Sequence, residues 1–71
     1  MEEIFKRRLR EEIRLSGLTK KEIAAKVYIT PETLRRYCTT SKLPSLPTLC
    51  LLCKTLDVSA DYLLGLKDEY C

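Results

Sequence analysis

Two groups of residues in this 71-residue chain have types and spacings that could do chemistry. The first is the cysteines, Cys38, Cys50, Cys53 and Cys71, two of them spaced Cys-x-x-Cys. Thiolates at that spacing bind zinc or cycle through a disulfide. A four-thiolate zinc site pairs two such motifs, however, and a thioredoxin-like site sits in a βαβ unit. The chain shows neither context. The second group is a basic cluster, Lys20, Lys21, Lys26, Arg35, Arg36 and Lys42, with Thr30 and Thr33 among it and only Glu22 and Glu32 opposing it. Guanidinium forks match phosphates and guanine edges, and hydroxyls beside the free amides of a helix start hold phosphate. That chemistry is polyanion recognition. Enzymatic chemistry finds no such foothold. There is no histidine, no nucleophile–base pair at a motif spacing, and only Gly17 and Gly65 to build a phosphate loop.

The elements that must position these residues are short helices with clear start signals. The first runs from about Glu2 to Leu15, with Phe5, Leu9 and Ile13 every four residues and Ser16-Gly17 ending it. The second starts at the capping box Thr19-Lys20-Lys21-Glu22 and reaches about Val27. The third starts at Thr30 with Pro31 in its first position and ends near Cys38 or Thr39. The fourth opens at Pro44-Ser45 and runs to Leu56, and the fifth is capped by Ser59 and stops at Gly65. Apolar pairs Leu18/Ile23, Ile29/Leu34 and Val58/Leu63 are spaced as hydrophobic staples around three of these starts. No segment shows strand alternation, so a compact all-α domain of five helices over residues 1–71 is expected. Only Tyr28, Ile29 and the cap separate the second and third helices, which favours the steep crossing of a helix-turn-helix.

On that third helix Leu34, Tyr37 and Cys38 share the inward side, leaving Glu32, Arg35 and Arg36 outward. The fourth helix carries Leu46, Leu49, Leu52, Cys53 and Leu56 on one apolar face, with Cys50 at its edge. Periodicity therefore makes the cysteines small hydrophobes, except for a terminal, exposed Cys71, and neither a metal nor any other cofactor is expected.

Net charge is +3, distributed unevenly: residues 1–45 carry 11 basic and 6 acidic residues, residues 46–71 carry 2 and 4. A solvated face could carry the same density, so charge alone does not establish a ligand. One domain of this size buries only about 60% of its unfolded surface and has no room for a deep substrate cavity. The longest apolar stretch, Leu49 to Cys53, is too short to cross a bilayer, and residues 1–8 hold no signal-like apolar segment. A cytoplasmic protein without a membrane or small-molecule partner is expected.

Residues Gly17 to Tyr37, read as Gly-Leu-Thr-Lys-Lys-Glu-Ile-Ala-Ala-Lys-Val-Tyr-Ile-Thr-Pro-Glu-Thr-Leu-Arg-Arg-Tyr, resemble the helix-turn-helix of the lambda-repressor-like, Cro/XRE-type DNA-binding family. Pro44-Ser-Leu-Pro-Thr-Leu continues the pattern, and Leu56-Asp-Val-Ser-Ala-Asp-Tyr-Leu-Leu-Gly65 is similar to its end in repressors of phages and mobile elements. The resemblance covers residues 4–66. It implies a five-helix transcriptional regulator binding an operator in double-stranded DNA as a homodimer. By that resemblance Lys20 contacts DNA near its backbone, and Pro31, Glu32 and Arg36 stand at base-reading positions. Thr30, Thr33 and the Thr39–Lys42 stretch, with Thr40 and Lys42, stand at phosphate-facing ones; Arg35 joins the set from the basic cluster. Departures from the pattern are Lys20 for a frequent glutamine, Tyr28 for a glycine common in the turn, Cys38 for a common glutamate, and Thr40 for a frequent glycine. The last implies an exit from the third helix that is not left-handed.

Two other function classes fit the same residues. One is a protein-interaction module, antitoxin-like or an accessory subunit, which would use another surface of the fold. The other is a redox or metal switch on the cysteines. Glu32 opposes the DNA reading unless it accepts from a cytosine amino group. A dimer contact is expected at the C-terminal apolar residues Tyr62, Leu63, Leu64, Leu66 and Tyr70, in part.

Overall fold

The computed structural model describes residues 1–68. Tyr70 and Cys71 therefore lie outside the described residues. Five helices follow in order: α1 (Glu2–Ser16), α2 (Lys20–Val27), α3 (Pro31–Thr39), α4 (Leu46–Leu56) and α5 (Ala60–Leu63). No strand occurs among the described residues, so the all-α expectation holds. No helix among them is long and apolar enough to cross a membrane.

Four of the five starts are fixed by side-chain caps within four residues. The Thr19 hydroxyl accepts from the Glu22 amide at 3.1 Å while the Glu22 carboxylate accepts from the Thr19 amide at 2.9 Å. Those bonds hold the Glu22 carboxyl below its usual range. Thr30, Ser45 and Ser59 accept from the amides of Thr33, Thr48 and Tyr62 in the same way. The ends follow a second local rule. The amides of Ile29, Val58 and Leu66 reach back to the carbonyls of Ala24, Cys53 and Asp61 at 2.8–3.0 Å. That closure turns the residue before each amide, Tyr28, Asp57 or Gly65, left-handed. The exit of α3 differs, as Thr40 implied: its φ is −122°, extended, and its hydroxyl donates to the Arg36 carbonyl at 2.7 Å. At Gly65 glycine is required twice, by φ +82° and by the Ile4 side chain, which a Cβ would meet at 2.8 Å.

Tyr28 is the strained member of the set. Its φ is +63°, and its side chain is 85% exposed, so no burial offsets the steric cost. Tyr28→Gly is expected to raise the unfolding free energy by about 0.5–1 kcal/mol. A urea melt reads this as a higher midpoint at constant slope. A lower midpoint would mean that the ring makes a stabilising contact.

One core binds the five helices. Phe5, Leu9 and Ile13 of α1 meet Ile23 and Val27 of α2, Leu34, Tyr37 and Cys38 of α3, Leu49, Leu52 and Leu56 of α4, then Val58 and Leu63. The staple residues Leu18 and Ile29 pack partly buried against it. Leu46, in the first turn, corrects the expected α4 face: it is 81% exposed.

Tertiary polar contacts claim several basic residues that composition had left as solvent-facing charge. The Lys6 ammonium donates to the carbonyls of Tyr37 at 3.1 Å and Lys42 at 3.3 Å, and Arg10 donates to the Cys38 carbonyl at 2.7 Å. These carbonyls at and beyond the end of α3 would otherwise be orphaned, and cations there complement the helix dipole. Arg8 donates to the carbonyls of Tyr62 at 2.6 Å and Lys67 at 2.8 Å, and its guanidinium lies 4.2 Å from the Tyr62 ring centroid.

Arg8, one turn before Glu12, thus has its guanidinium engaged on the C-terminal segment. Glu12 is 8% exposed, and its Oε2 has no hydrogen-bond partner among the described residues. Burial, followed by the neighbouring Glu11, pushes its carboxyl up from 4.5. Below the unfolded value the proton is bound in both states and this position costs nothing. As pH rises through the higher folded value, the folded protein must hold a desolvated charge and loses stability. Glu12→Leu is expected to stabilise by about 1 kcal/mol at neutral pH and to make no comparable gain well below pH 4.5. Thermal melts across that range check it, and an equal gain at both ends would mean that apolar packing alone is responsible.

Candidate nucleic-acid interface

The surface in question is built on α3. Burial of Leu34, Tyr37 and Cys38 fixes the rotation of this helix, so positions 32, 35, 36 and 39 form an outward stripe. Glu32 sits in the first turn, where a carboxylate suits the positive helix end. Its oxygens accept from Arg35 Nε at 3.0 Å and Nη2 at 2.5 Å, and from Arg36 Nε at 3.4 Å. The one-turn pairing of Glu32 with Arg36 is therefore the weaker contact. The two-point fork goes to Arg35, because the i,i+3 geometry aligns both its nitrogens with both carboxylate oxygens. Arg35 also donates from Nη1 to the Thr39 hydroxyl at 3.5 Å. The Arg35 guanidinium is the main cause that brings the Glu32 carboxyl down to about 2, with Arg36 contributing less.

Arg36 is left differently disposed. Its terminal nitrogens have no partner among the described residues. Four N–H donors thus face solvent in the planar arrangement that matches a pair of acceptors.

At the start of α3 the Thr30 hydroxyl caps the Thr33 amide and lies 2.9 Å from the Thr33 hydroxyl. Pro31 follows in the first helical position, exposed. Past the other end, the Thr40 hydroxyl accepts from the Lys42 amide at 3.2 Å besides donating to Arg36, so Thr40 shapes the turn that aims Lys42. Lys42 itself is exposed and forms no ion pair among the described residues.

Lys20 opens α2 at an exposed position, beside the end of α3 rather than its start. It lines a cleft with Arg10, Ile13, Arg14 and Cys38. Burial pushes the Cys38 thiol up, and the charges of Lys20, Arg10 and Lys6 oppose that shift. The chain thus gathers Lys20, Arg10 and Lys6 around the C-terminal end of α3, two of them from α1. Reasoning from the sequence had not joined Lys6 and Arg10 to this surface. Their signal was indirect: α3 ends in carbonyls that need donors, and α1 holds basic residues one turn apart.

The other cysteines split as the helical face implied, Cys53 half-buried with its thiol pushed up and Cys50 exposed at the edge. Among the described residues no three histidine, cysteine, aspartate or glutamate side chains converge on a point.

Comparison with known proteins agrees with this geometry. Residues 7–63 match the family model described as Helix-turn-helix. The chain is also 36% identical over 66 residues to YobD of Bacillus subtilis (strain 168), which is named as an uncharacterized HTH-type transcriptional regulator. That alignment covers 93% of this chain and 59% of the relative, so the chain spans little more than half the relative's length. No solved structure matches. The match takes in α2, the left-handed Tyr28 turn and α3 together with the helices that pack behind them, and on it the chain belongs to the Cro/XRE-type helix-turn-helix family of DNA-binding domains.

Proposed function

We propose that residues 1–71 are a single DNA-binding domain acting as a sequence-specific transcriptional regulator, of the kind found as phage and mobile-element repressors. In this reading it binds a palindromic operator in double-stranded DNA as a homodimer, without catalysis or a cofactor. The observation that carries the reading is the outward stripe of α3, whose Arg36 fork stands open on a helix locked by Leu34, Tyr37 and Cys38. In the major groove that fork matches the two acceptors of guanine. Thr30, Thr33, Lys20, Thr40 and Lys42 are assigned to the flanking phosphates, and Glu32 to the groove between them, with Arg35 held beside it.

Dimerisation is supported by economy and by surface. One recognition helix touches few base pairs, and a second half-site multiplies specificity. Leu66 is 72% exposed beside half-buried Leu64 and Tyr62, while Leu63 is spent in the core. Selection of bound duplexes from a random pool tests the reading. A two-fold symmetric enriched site supports it. Its affinity should fall with salt on a log–log slope of roughly −5 to −7 if each subunit neutralises about three or four phosphates. No enrichment and no duplex binding at low salt would assign the fold to a protein partner instead.

A further inference from the structure

Arg35 and Arg36 are adjacent, equally charged and equally exposed, yet only one is available. Arg35 has three of its five donors engaged along its own helix, on both Glu32 oxygens and on Thr39, whereas Arg36 lends one nitrogen at 3.4 Å. Glu32 thus offers Arg35 the forked anion that a phosphate group would offer it.

We propose that Glu32 is an internal competitor for DNA phosphate that withholds Arg35 from the backbone and releases it only where a base supplies the carboxylate with a hydrogen-bond donor. This rests on the DNA-binding reading above and names what sets its specificity. The argument is one of exchange. Moving Arg35 from Glu32 to a phosphate trades one forked ionic pair for another, with little net gain. It leaves Glu32 with only the 3.4 Å contact from Arg36 Nε, a carboxylate facing a polyanion, which is repulsive. Both terms reverse where the groove presents the exocyclic amino group of cytosine, the major-groove donor that pairs with a glutamate. There Glu32 regains a partner and Arg35 becomes an added phosphate contact. At guanine or thymine, which offer the carboxylate no donor there, the protein keeps Arg35 pinned and binds with one contact fewer per subunit. Discrimination then comes from a penalty on wrong sequences as much as from a gain on the right one.

The test is a double-mutant cycle on DNA, read as salt slopes with the selected operator and with a scrambled duplex. Glu32→Gln keeps the shape and one accepting oxygen but loses the charge and turns the second acceptor into a donor. It should steepen the scrambled-duplex slope by about one per subunit and reduce the ratio of specific to scrambled affinity by about tenfold. Arg35→Ala should take about one per subunit from that slope in the Glu32→Gln background, and only a fraction of that in the wild-type background. The selected operator should also carry a cytosine whose replacement costs the wild type more than it costs Glu32→Gln. Equal losses from Arg35→Ala in both backgrounds would overturn the proposal, since Arg35 would then reach phosphate with Glu32 in place. Equal gains of Glu32→Gln on both duplexes would also overturn it. If the wild type binds no duplex at low salt, the DNA reading fails first and this one with it. Both substituted side chains lie on the exposed face, so circular dichroism of each variant should match wild type.

Discussion

Leu34→Ala is expected to lower the unfolding free energy by about 3–4 kcal/mol, the cost of a buried leucine replaced by a cavity. Leu34 has no exposed surface, and it sits on α3, against which both α1 and α2 pack. A domain of this length holds only about 4–10 kcal/mol of total stability, so this change removes a large share of it. Thermal denaturation should show a midpoint lower by about 12–30 °C. The effect on DNA should be indirect. At temperatures where the variant is folded, its affinity should stay near wild type, because no contact atom has been removed. A loss of binding without a loss of midpoint would mean that Leu34 meets the ligand and that the assigned rotation of α3 is wrong.

Arg36→Ala is expected to cost about 1–3 kcal/mol per half-site on the preferred operator and much less on scrambled DNA, with relaxed preference at one symmetric base-pair position. The expectation follows from the open fork: its terminal donors are unspent, so a guanine edge gains two bonds without breaking an existing pair. Lys42→Ala is the contrasting case. Lys42 lies beyond the end of α3 on a turn held by Thr40, and a flexible ammonium there is suited to phosphate. Its loss should weaken every duplex by a similar factor and shallow the salt slope by about one per subunit. Competition titration of both variants against specific and scrambled duplexes separates the two roles. If Arg36→Ala lowers both affinities equally, Arg36 is a backbone contact and base reading passes to other residues on the stripe.

The neutralising pair on α3 will resist pH. With its carboxyl at about 2, Glu32 stays ionised through the whole range in which the protein would be handled, so its hold on Arg35 is not a pH switch. Both partners are exposed, and the pair therefore matters for the ligand much more than for folding.

What the sequence alone determined is the set of elements and their inward faces. Thr19, Thr30, Ser45 and Ser59 mark their helix starts because a cap acts on an amide three residues away. Leu34, Tyr37 and Cys38 declare the buried side of α3 because helical periodicity is a local property, and the outward position of Glu32, Arg35 and Arg36 follows from it. The tertiary structure decided how the charges are used. Lys6 and Arg10 serve the end of α3 across 31 and 28 residues, and Arg8 reaches Lys67 across 59. Composition counts such residues as free positive charge. The same holds for Leu46, on a helical face that reads as apolar but is exposed in its first turn, and for Glu12, buried with its Oε2 unpartnered among the described residues. Even on α3 the spacing allowed Glu32 either arginine, and the side-chain geometry gave the fork to Arg35. Local rules choose conformations because they act within a turn or two of backbone. The partners of long polar side chains depend on which distant carbonyls and carboxylates folding brings within about 3 Å, and no window of sequence contains that information.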